Sequence, residues 1–452
     1  MPNGYLPEAV VVRALRVDRR VILILVALGA LAMRLGSTLY FGEEYFWNTG
    51  YREYYNLARS IAEGSGYCRS FHNIALEIAD LSQDISGEEC AHWPPVYPLF
   101  LSVVTMGGND YVAIILAQAL VGVGTILCAF LLGNHIFGYS TGLIAALFAA
   151  FYPYYVSHDT SIQETGIFTF STILSVLLLY KAAGSGSRVL WVLSGISLGV
   201  TTLIRTSAVL FVVLVVLWVI LVVKGGFRDR TSVVLVLATS FALVLVPWLA
   251  RNTVVLGRAL LTTQTGRFLW IGNNSDTFSH YPTGYIDQSE GKAWRALTFA
   301  ELEKIRDLSA DEIGQSEWFF KRGADFIVQY PGYTLQRASR KVWAGFSWNF
   351  SPEKDLLRQQ AYFFSYVPLL VLGIAGILLT WRRWRELSLI YFLFLAFTVV
   401  TAVFWAHTSH RIYLDVYLMV FAAHTCTVIH QRSLPWILRV CGLTQRWSNA
   451  TE

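Results

Sequence analysis

Long apolar blocks separated by short polar connections dominate the chain. Crossing the hydrocarbon of a bilayer takes about 20 apolar residues in an α-helix, and windows of that kind fall at 20–41, 111–133, 139–156, 162–182, 189–204, 207–223, 231–249, 361–380, 387–406 and 412–430. The pattern predicts an all-α polytopic membrane protein with about ten transmembrane helices. The blocks 189–204 and 207–223 are short and separated only by Arg205-Thr206, so they also fit a bent pair entering one leaflet. The pattern changes character twice, in the polar segments 42–110 and 251–360. The first carries a helical stretch from Arg52 to Glu63 and ends in Trp93-Pro94-Pro95-Val96-Tyr97-Pro98. The second holds the turn Gly272-Asn273-Asn274 and a charged amphipathic helix over 301–329, which stops at Tyr330-Pro331-Gly332 because the residue before a proline disfavours helix.

Composition agrees: 55% of the residues are hydrophobic and 14% charged, against roughly 25% charged in a soluble domain. An ordinary cytosolic enzyme is excluded. The net charge of +5 is too slight to indicate a nucleic-acid partner, but its distribution is informative. Arg19-Arg20, Lys181 with Arg188, Lys224 with Arg228 and Arg230, Arg382 with Arg383 and Arg385, and Arg432 fall at alternate connections. Cytoplasmic connections are the ones enriched in Lys and Arg, so both termini, 1–19 and 431–452, are expected in the cytoplasm around a membrane domain spanning 20–430. The two long segments then become extracytoplasmic inserts, holding 22 of the 30 acidic residues. The first apolar block follows Arg13, Arg16, Arg19 and Arg20, runs too long for a cleavable leader and lacks a small-residue cleavage site, so it reads as a signal anchor. A bacterial inner membrane is the expected location.

Cys68 and Cys90 lie in the first insert, on the side where thiols oxidise. They are expected to form a disulfide, the alternative being two unrelated thiols. Within the membrane region the ionisable residues are few: Arg34, Asp159, Glu164, Arg205, Arg411 and Asp415. All but Arg34 sit near the insert-side ends of their blocks. Such groups are costly in lipid unless they are paired or face a wet cavity, so they either converge on a functional pocket or stabilise the bundle as ion pairs. The aromatic run Trp343, Phe346, Trp348, Phe350, Tyr362 and Phe363 reads as an interfacial belt, with sugar stacking as the alternative.

A family resemblance emerges from an ordered series of short motifs. They are Tyr54-Tyr55-Asn56-Leu57-Ala58-Arg59, Gly64-Ser65-Gly66-Tyr67, Pro94-Pro95-Val96-Tyr97-Pro98, Gln163-Glu164-Thr165, Leu203-Ile204-Arg205, Pro247-Trp248, Arg251-Asn252, Trp270-Ile271-Gly272-Asn273-Asn274, Tyr330-Pro331-Gly332 and His410-Arg411-Ile412-Tyr413. Over about 20–430 the chain resembles the GT-C glycosyltransferases that use polyprenyl-phosphate sugars, among them protein O-mannosyltransferases and lipid A aminoarabinose transferases. The resemblance implies a GT-C-like bundle with a catalytic first outer loop. It also implies an inverting transfer from a lipid-phosphate-linked sugar to an acceptor glycan, lipid or protein at the outer face. Such chemistry needs a carboxylate to take the acceptor's proton and cations for the departing phosphate.

Two departures qualify the site. Relatives place an acid four residues before the Tyr matched by Tyr54, where this chain has Gly50, and Arg or Lys before the Pro-Pro pair, where it has Trp93. Glu53, Glu44 and Glu43 are the replacement acids on the first loop, and Glu164 matches a second acid of the family. Tyr54 belongs near the acceptor. Arg205, Arg251, Lys341 and Arg411 are the phosphate-binding candidates, with His92 a substitute for the missing cation at Trp93. No spacing demands a cofactor, though His158 and Asp159 with Glu164 offer donors for a divalent cation. Two other classes stay open: a catalytically silent binding or assembly protein with this fold, and a secondary transporter, against which the long inserts and the lack of paired halves argue.

Overall fold

In the computed structural model, the described residues are 18–48, 50–70, 87–107, 110–279, 286–350, 354–405 and 407–440. Helices are numbered here in chain order. The long α1 (Arg19–Asn48) leads into the first insert with α2 (Arg52–Ala62), the two-residue strands β1 (Arg69–Ser70) and β2 (Glu88–Glu89), and α3 (Val96–Val104). The bundle continues with α4 (Asp110–Phe137), α5 (Tyr139–Phe151), the short α6 (Pro153–Asp159), α7 (Thr165–Ser185), α8 (Arg188–Ile204), α9 (Val209–Leu221) and α10 (Phe227–Leu256). The second insert contributes α11 (Gln264–Gly272), α12 (Ile286–Arg295), α13 (Phe299–Asp307), α14 (Glu312–Gln329) and α15 (Pro331–Phe346), before α16 (Leu356–Leu379), α17 (Trp384–Val403) and α18 (Thr408–Val440) close the bundle. Seven of these helices, α1, α4, α7, α10, α16, α17 and α18, are long and apolar enough to cross a membrane, and α5, α8 and α9 are shorter apolar helices. Together they account for the ten apolar blocks of the sequence, and the protein is a multi-pass membrane protein.

The core sits around α18, in which every side chain from Arg411 to Ala423 is buried. Its neighbours approach closely through small residues, the usual device for helix packing where water supplies no driving force: a Cβ at Gly376 of α16 would lie 2.2 Å from the Phe421 carbonyl oxygen. Hydroxyl pairs join α7 to α8, Ser171 to Thr201 at 2.6 Å and Ser175 to Ser197 at 2.7 Å. The outer helices turn large apolar side chains outward, such as Leu39 and Tyr40 of α1 and Leu243 of α10.

Three elements differ from the sequence reading. The block 139–156 is not one helix, because Pro153 forces Tyr152 into an extended conformation (ψ 112°) and starts α6 afresh. The amphipathic stretch 301–329 is two helices, since the Asp311 side chain caps a new start by accepting from the Gly314 N–H at 2.8 Å. The aromatic run divides: Trp343, Trp348 and Phe363 are exposed as a belt requires, whereas Phe350 stacks on buried Tyr362 with ring centroids 4.3 Å apart.

The inserts share one end of the bundle and are fastened together. Cys68 and Cys90 are joined as a disulfide, beside β1 and β2, which pair antiparallel with Arg69 opposite Glu89. Buried Glu312 at the start of α14 accepts from the Cys90 N–H at 2.7 Å and the Ala91 N–H at 3.1 Å, and from the Thr263 hydroxyl. The expected cytoplasmic termini lie largely outside the described residues, Arg13, Arg16 and Cys441 among them.

Candidate active site

At the insert-bearing end, α6 and α7 are joined by a short turn that receives the first insert. Gly50 bridges Ile162 in parallel register, and the Tyr51 N–H donates to the Ile162 carbonyl at 2.9 Å. This contact needs glycine: φ at Gly50 is +90°, and an added Cβ would lie 2.4 Å from the Ile162 oxygen. Gly50 therefore serves as a hinge pin that holds the start of α2 against the α6–α7 turn.

Seated in this way, α2 directs Tyr54 inward. The ring is buried between Trp93 and Tyr97, with centroids 4.6 and 4.9 Å away. Trp93 thus completes an aromatic wall. Burial, and then the Glu164 charge, push the Tyr54 phenol well above its ordinary value, so it remains a neutral hydroxyl donor.

Glu164 precedes the first turn of α7 and Arg205 follows the last turn of α8, where the backbone becomes extended. The Arg205 Nη2 and Nε donate to Glu164 Oε1 at 2.5 and 3.2 Å, Nη2 also reaches the Thr165 hydroxyl at 3.3 Å, and the guanidinium lies 4.9 Å over the Phe168 ring. Two polar atoms are left over. Glu164 Oε2 is buried with no hydrogen-bond partner, and Arg205 Nη1 makes no hydrogen bond among the described residues. His158 hydrogen-bonds Gln163 at 2.7 Å from its Nδ1, and the charges of Arg205, Glu164 and Lys354 all act on it. His410, at the start of α18, lies within the fields of Arg205 and His158. The arrangement joins a carboxylate with one open oxygen, a guanidinium with one open edge, a neutral phenol and two imidazoles.

The other candidates are placed differently. Every donor of Lys341 is spent on the carbonyls of Gly272, Val403 and Phe404, at 3.1, 3.1 and 3.3 Å, so it caps the end of α17. Arg411 is fully buried, bonded to Asp415, Gly345 and Tyr362 and stacked 3.7 Å over Tyr366. Arg251 reaches the carbonyls of Cys90 and Tyr67 while lying over Trp248, and so clamps α10 to the first insert. His92 contacts Glu89 at 3.2 Å. Burial pushes its imidazole down, leaving it neutral near pH 7 and no phosphate cation. Glu53 and Glu44 are exposed, with no hydrogen bond to the cluster, and exposed Glu43 accepts from the Trp47 indole at 3.0 Å.

The divalent-cation trio does not converge. Asp159 is paired with Arg34 at 2.8 Å, Glu164 with Arg205, and His158 with Gln163. Among the described residues the single group of three potential ligands is Cys68, Glu88 and Cys90, and its two sulfurs are bonded to each other. No step is routed through a metal.

Sequence reasoning missed Glu312, Arg69 and Lys354. An acid opening an amphipathic helix looks like an ordinary first-turn residue, and neither the Arg69 pairing nor the approach of Lys354 leaves any trace in spacing.

Residues 92–250 match the model of a family described as dolichyl-phosphate-mannose-protein mannosyltransferase. Nothing among the curated proteins matches the chain. Fifteen chains of solved structures match. The oligosaccharyltransferase of Archaeoglobus fulgidus in the apo form is 14% identical, with a TM-score of 0.56 and 98% of this chain covering 53% of that one. The same enzyme tethered to an acceptor peptide containing the NVT sequon is 15% identical, with a TM-score of 0.54 and coverages of 94% and 51%. Its complex with zinc and sulfate gives 14% and 0.54, with the same coverages. The chain spans about half the length of these structures, and the likeness is one of fold.

Proposed function

We propose that this chain, which has the GT-C fold, is a membrane glycosyltransferase that moves a sugar from a polyprenyl-phosphate donor to an acceptor hydroxyl at the outer face. The reaction class is the one implied by the family model over 92–250. The observation that carries it is the Glu164–Arg205 pair, which keeps an unpaired carboxylate oxygen and an unpaired guanidinium edge. In the reaction the acceptor oxygen attacks the anomeric carbon from the face opposite the phosphate and its proton passes to Glu164 Oε2. The bond from the anomeric carbon to the phosphate oxygen breaks, and its electron pair leaves with the lipid phosphate. Arg205 Nη1 meets the charge that grows there, guanidinium being suited to phosphate oxygens. Tyr54 donates to an oxygen of the bound sugar. The positive-inside pattern supports placing the inserts outside, as does the disulfide, and a bacterial inner membrane is the location we assign.

Gly50 favours a second reading, a silent binding protein with this fold. Incubating the purified full chain with a labelled short-chain prenyl-phosphate sugar and candidate acceptors separates the two. Release of prenyl phosphate with sugar transfer supports the enzyme, and donor binding without turnover supports the binding protein.

A further inference from the structure

A cavity of about 630 Å³ opens within the second insert, away from the Glu164–Arg205 pair. That volume lies inside the roughly 300–1,000 Å³ typical of small-molecule sites. One wall is aromatic. Phe326 and Tyr330 have ring centroids 5.1 Å apart, Tyr330 and Tyr333 6.4 Å, and the two tyrosines stay 48% and 58% exposed. These rings meet tilted and edge-on at the α14–α15 corner, and the exposed surface of the two tyrosines is open to the apolar face of a ligand.

The polar lining has a definite sign. Arg337 gives its guanidinium to the carbonyls of Asn274 and Ser275 and lies over Phe326 and Tyr333 at 5.6 and 5.3 Å. Arg322 is paired with Glu301. Both cations on the lining are therefore committed. Asp276 and Asp325 have no ion pair among the described residues, so the groups left to meet a ligand are carboxylate acceptors. Aromatic faces beside unpaired carboxylates suit a pyranose chain, whose C–H faces stack on rings while its hydroxyl or amino groups donate. The same two carboxylates disfavour a phosphate or a uronate beside them.

The cavity wall is also fastened to the end of α17. Asn273, on its wall, donates to the Val403 carbonyl at 2.7 Å, and Lys341 clamps Gly272 to Val403 and Phe404. His410, near the start of α18, follows Phe404 by six positions. We propose that this cavity is a glycan subsite, holding a neutral or amino-sugar oligosaccharide portion of the acceptor while its terminus reaches the Glu164–Arg205 pair. The acceptor role rests on the transfer reading; the binding of oligosaccharide does not.

The test is direct binding to the full chain in nanodiscs, followed by tryptophan fluorescence and calorimetry. Chitotetraose, its de-N-acetylated form, mannotetraose and tetragalacturonate are the probes. The expected result is saturable binding of at least one neutral or amino probe and none of tetragalacturonate. Y330A with Y333A, and separately D325N, should weaken binding at least tenfold, while Y330F, which keeps the ring, should retain it; these side chains are exposed, and an unchanged melting temperature confirms intact folding. Absence of binding by all neutral and amino probes, equal binding of tetragalacturonate, or binding indifferent to the substitutions overturns the proposal. Oligosaccharide binding in a protein that transfers no sugar sinks the enzyme reading alone.

Discussion

The value of a buried charge here depends on what remains of it after its neighbours are satisfied. Arg34, Arg205 and Arg411 pass the test of being rare cations among apolar residues, and Lys341 is a cation buried in the second insert. Sequence alone cannot rank them, because it does not show which carbonyls and carboxylates come to meet each one. Three have their charge met inside the protein, Arg34 by Asp159, and Arg205 keeps an open edge. Breaking a buried pair leaves an uncompensated charge and costs about 3–5 kcal/mol. Arg411→Met is therefore expected to lower the melting temperature sharply, read by fluorescence-detected unfolding, whereas Arg205→Lys should cost transfer far more than stability. Gly50 makes the opposite point. Placing an acid there as Gly50→Asp should not raise transfer, and it should destabilise the protein by about 1–3 kcal/mol, because the Cβ meets the Ile162 carbonyl; increased turnover in that variant would refute the hinge-pin role.

At the scale of elements, apolar periodicity located the ten apolar helices of the bundle, since a block long enough to span lipid has few other folds available, but not the insert helices α3, α11, α12 and α15. It erred at Pro153 and Asp311, where single residues restart a helix within an unbroken pattern. The first insert was less legible, being held by contacts that are distant in sequence. One of them is measurable by pH. Burial opposes ionisation of Glu89, yet the His92 hydrogen bond and the Arg69 guanidinium outweigh it and hold the carboxyl at about 2. A carboxyl depressed in the folded state gives stability that is present above its unfolded pKa and is lost as pH falls through the folded one. The Glu89 contribution is thus full above about 4.5 and fades toward 2. Glu89→Gln should lower the stability of this insert at pH 7, read as faster limited proteolysis, and should make no difference near pH 2. The disulfide spans 22 positions, and replacing Cys68 and Cys90 by serine is expected to remove on the order of 3 kcal/mol in the chain-entropy account, again visible as proteolysis of the first insert.

At the scale of the molecule, a central helix buried from Arg411 to Ala423 anchors a ring of lipid-facing helices, and two inserts fastened by Glu312, Arg251 and Gly50 cover one mouth of that ring. The sequence foretold both inserts and their shared side. It did not foretell that they would form one cap, because Glu312 and the backbone of Cys90 are 222 positions apart. Sidedness is open to a simple check: a cysteine placed at exposed Glu317 should react with an impermeant maleimide in intact cells. The central claim, that Glu164 and not an acid of the first loop takes the acceptor's proton, is tested most directly by measuring turnover of E164Q beside E53Q, E44Q and E43Q with one lipid-phosphate sugar. The account predicts a loss on the order of 10²-fold or more for E164Q, the scale of general-base catalysis, with the other three close to wild type. Full turnover by E164Q, or a comparable loss in E53Q, would contradict it.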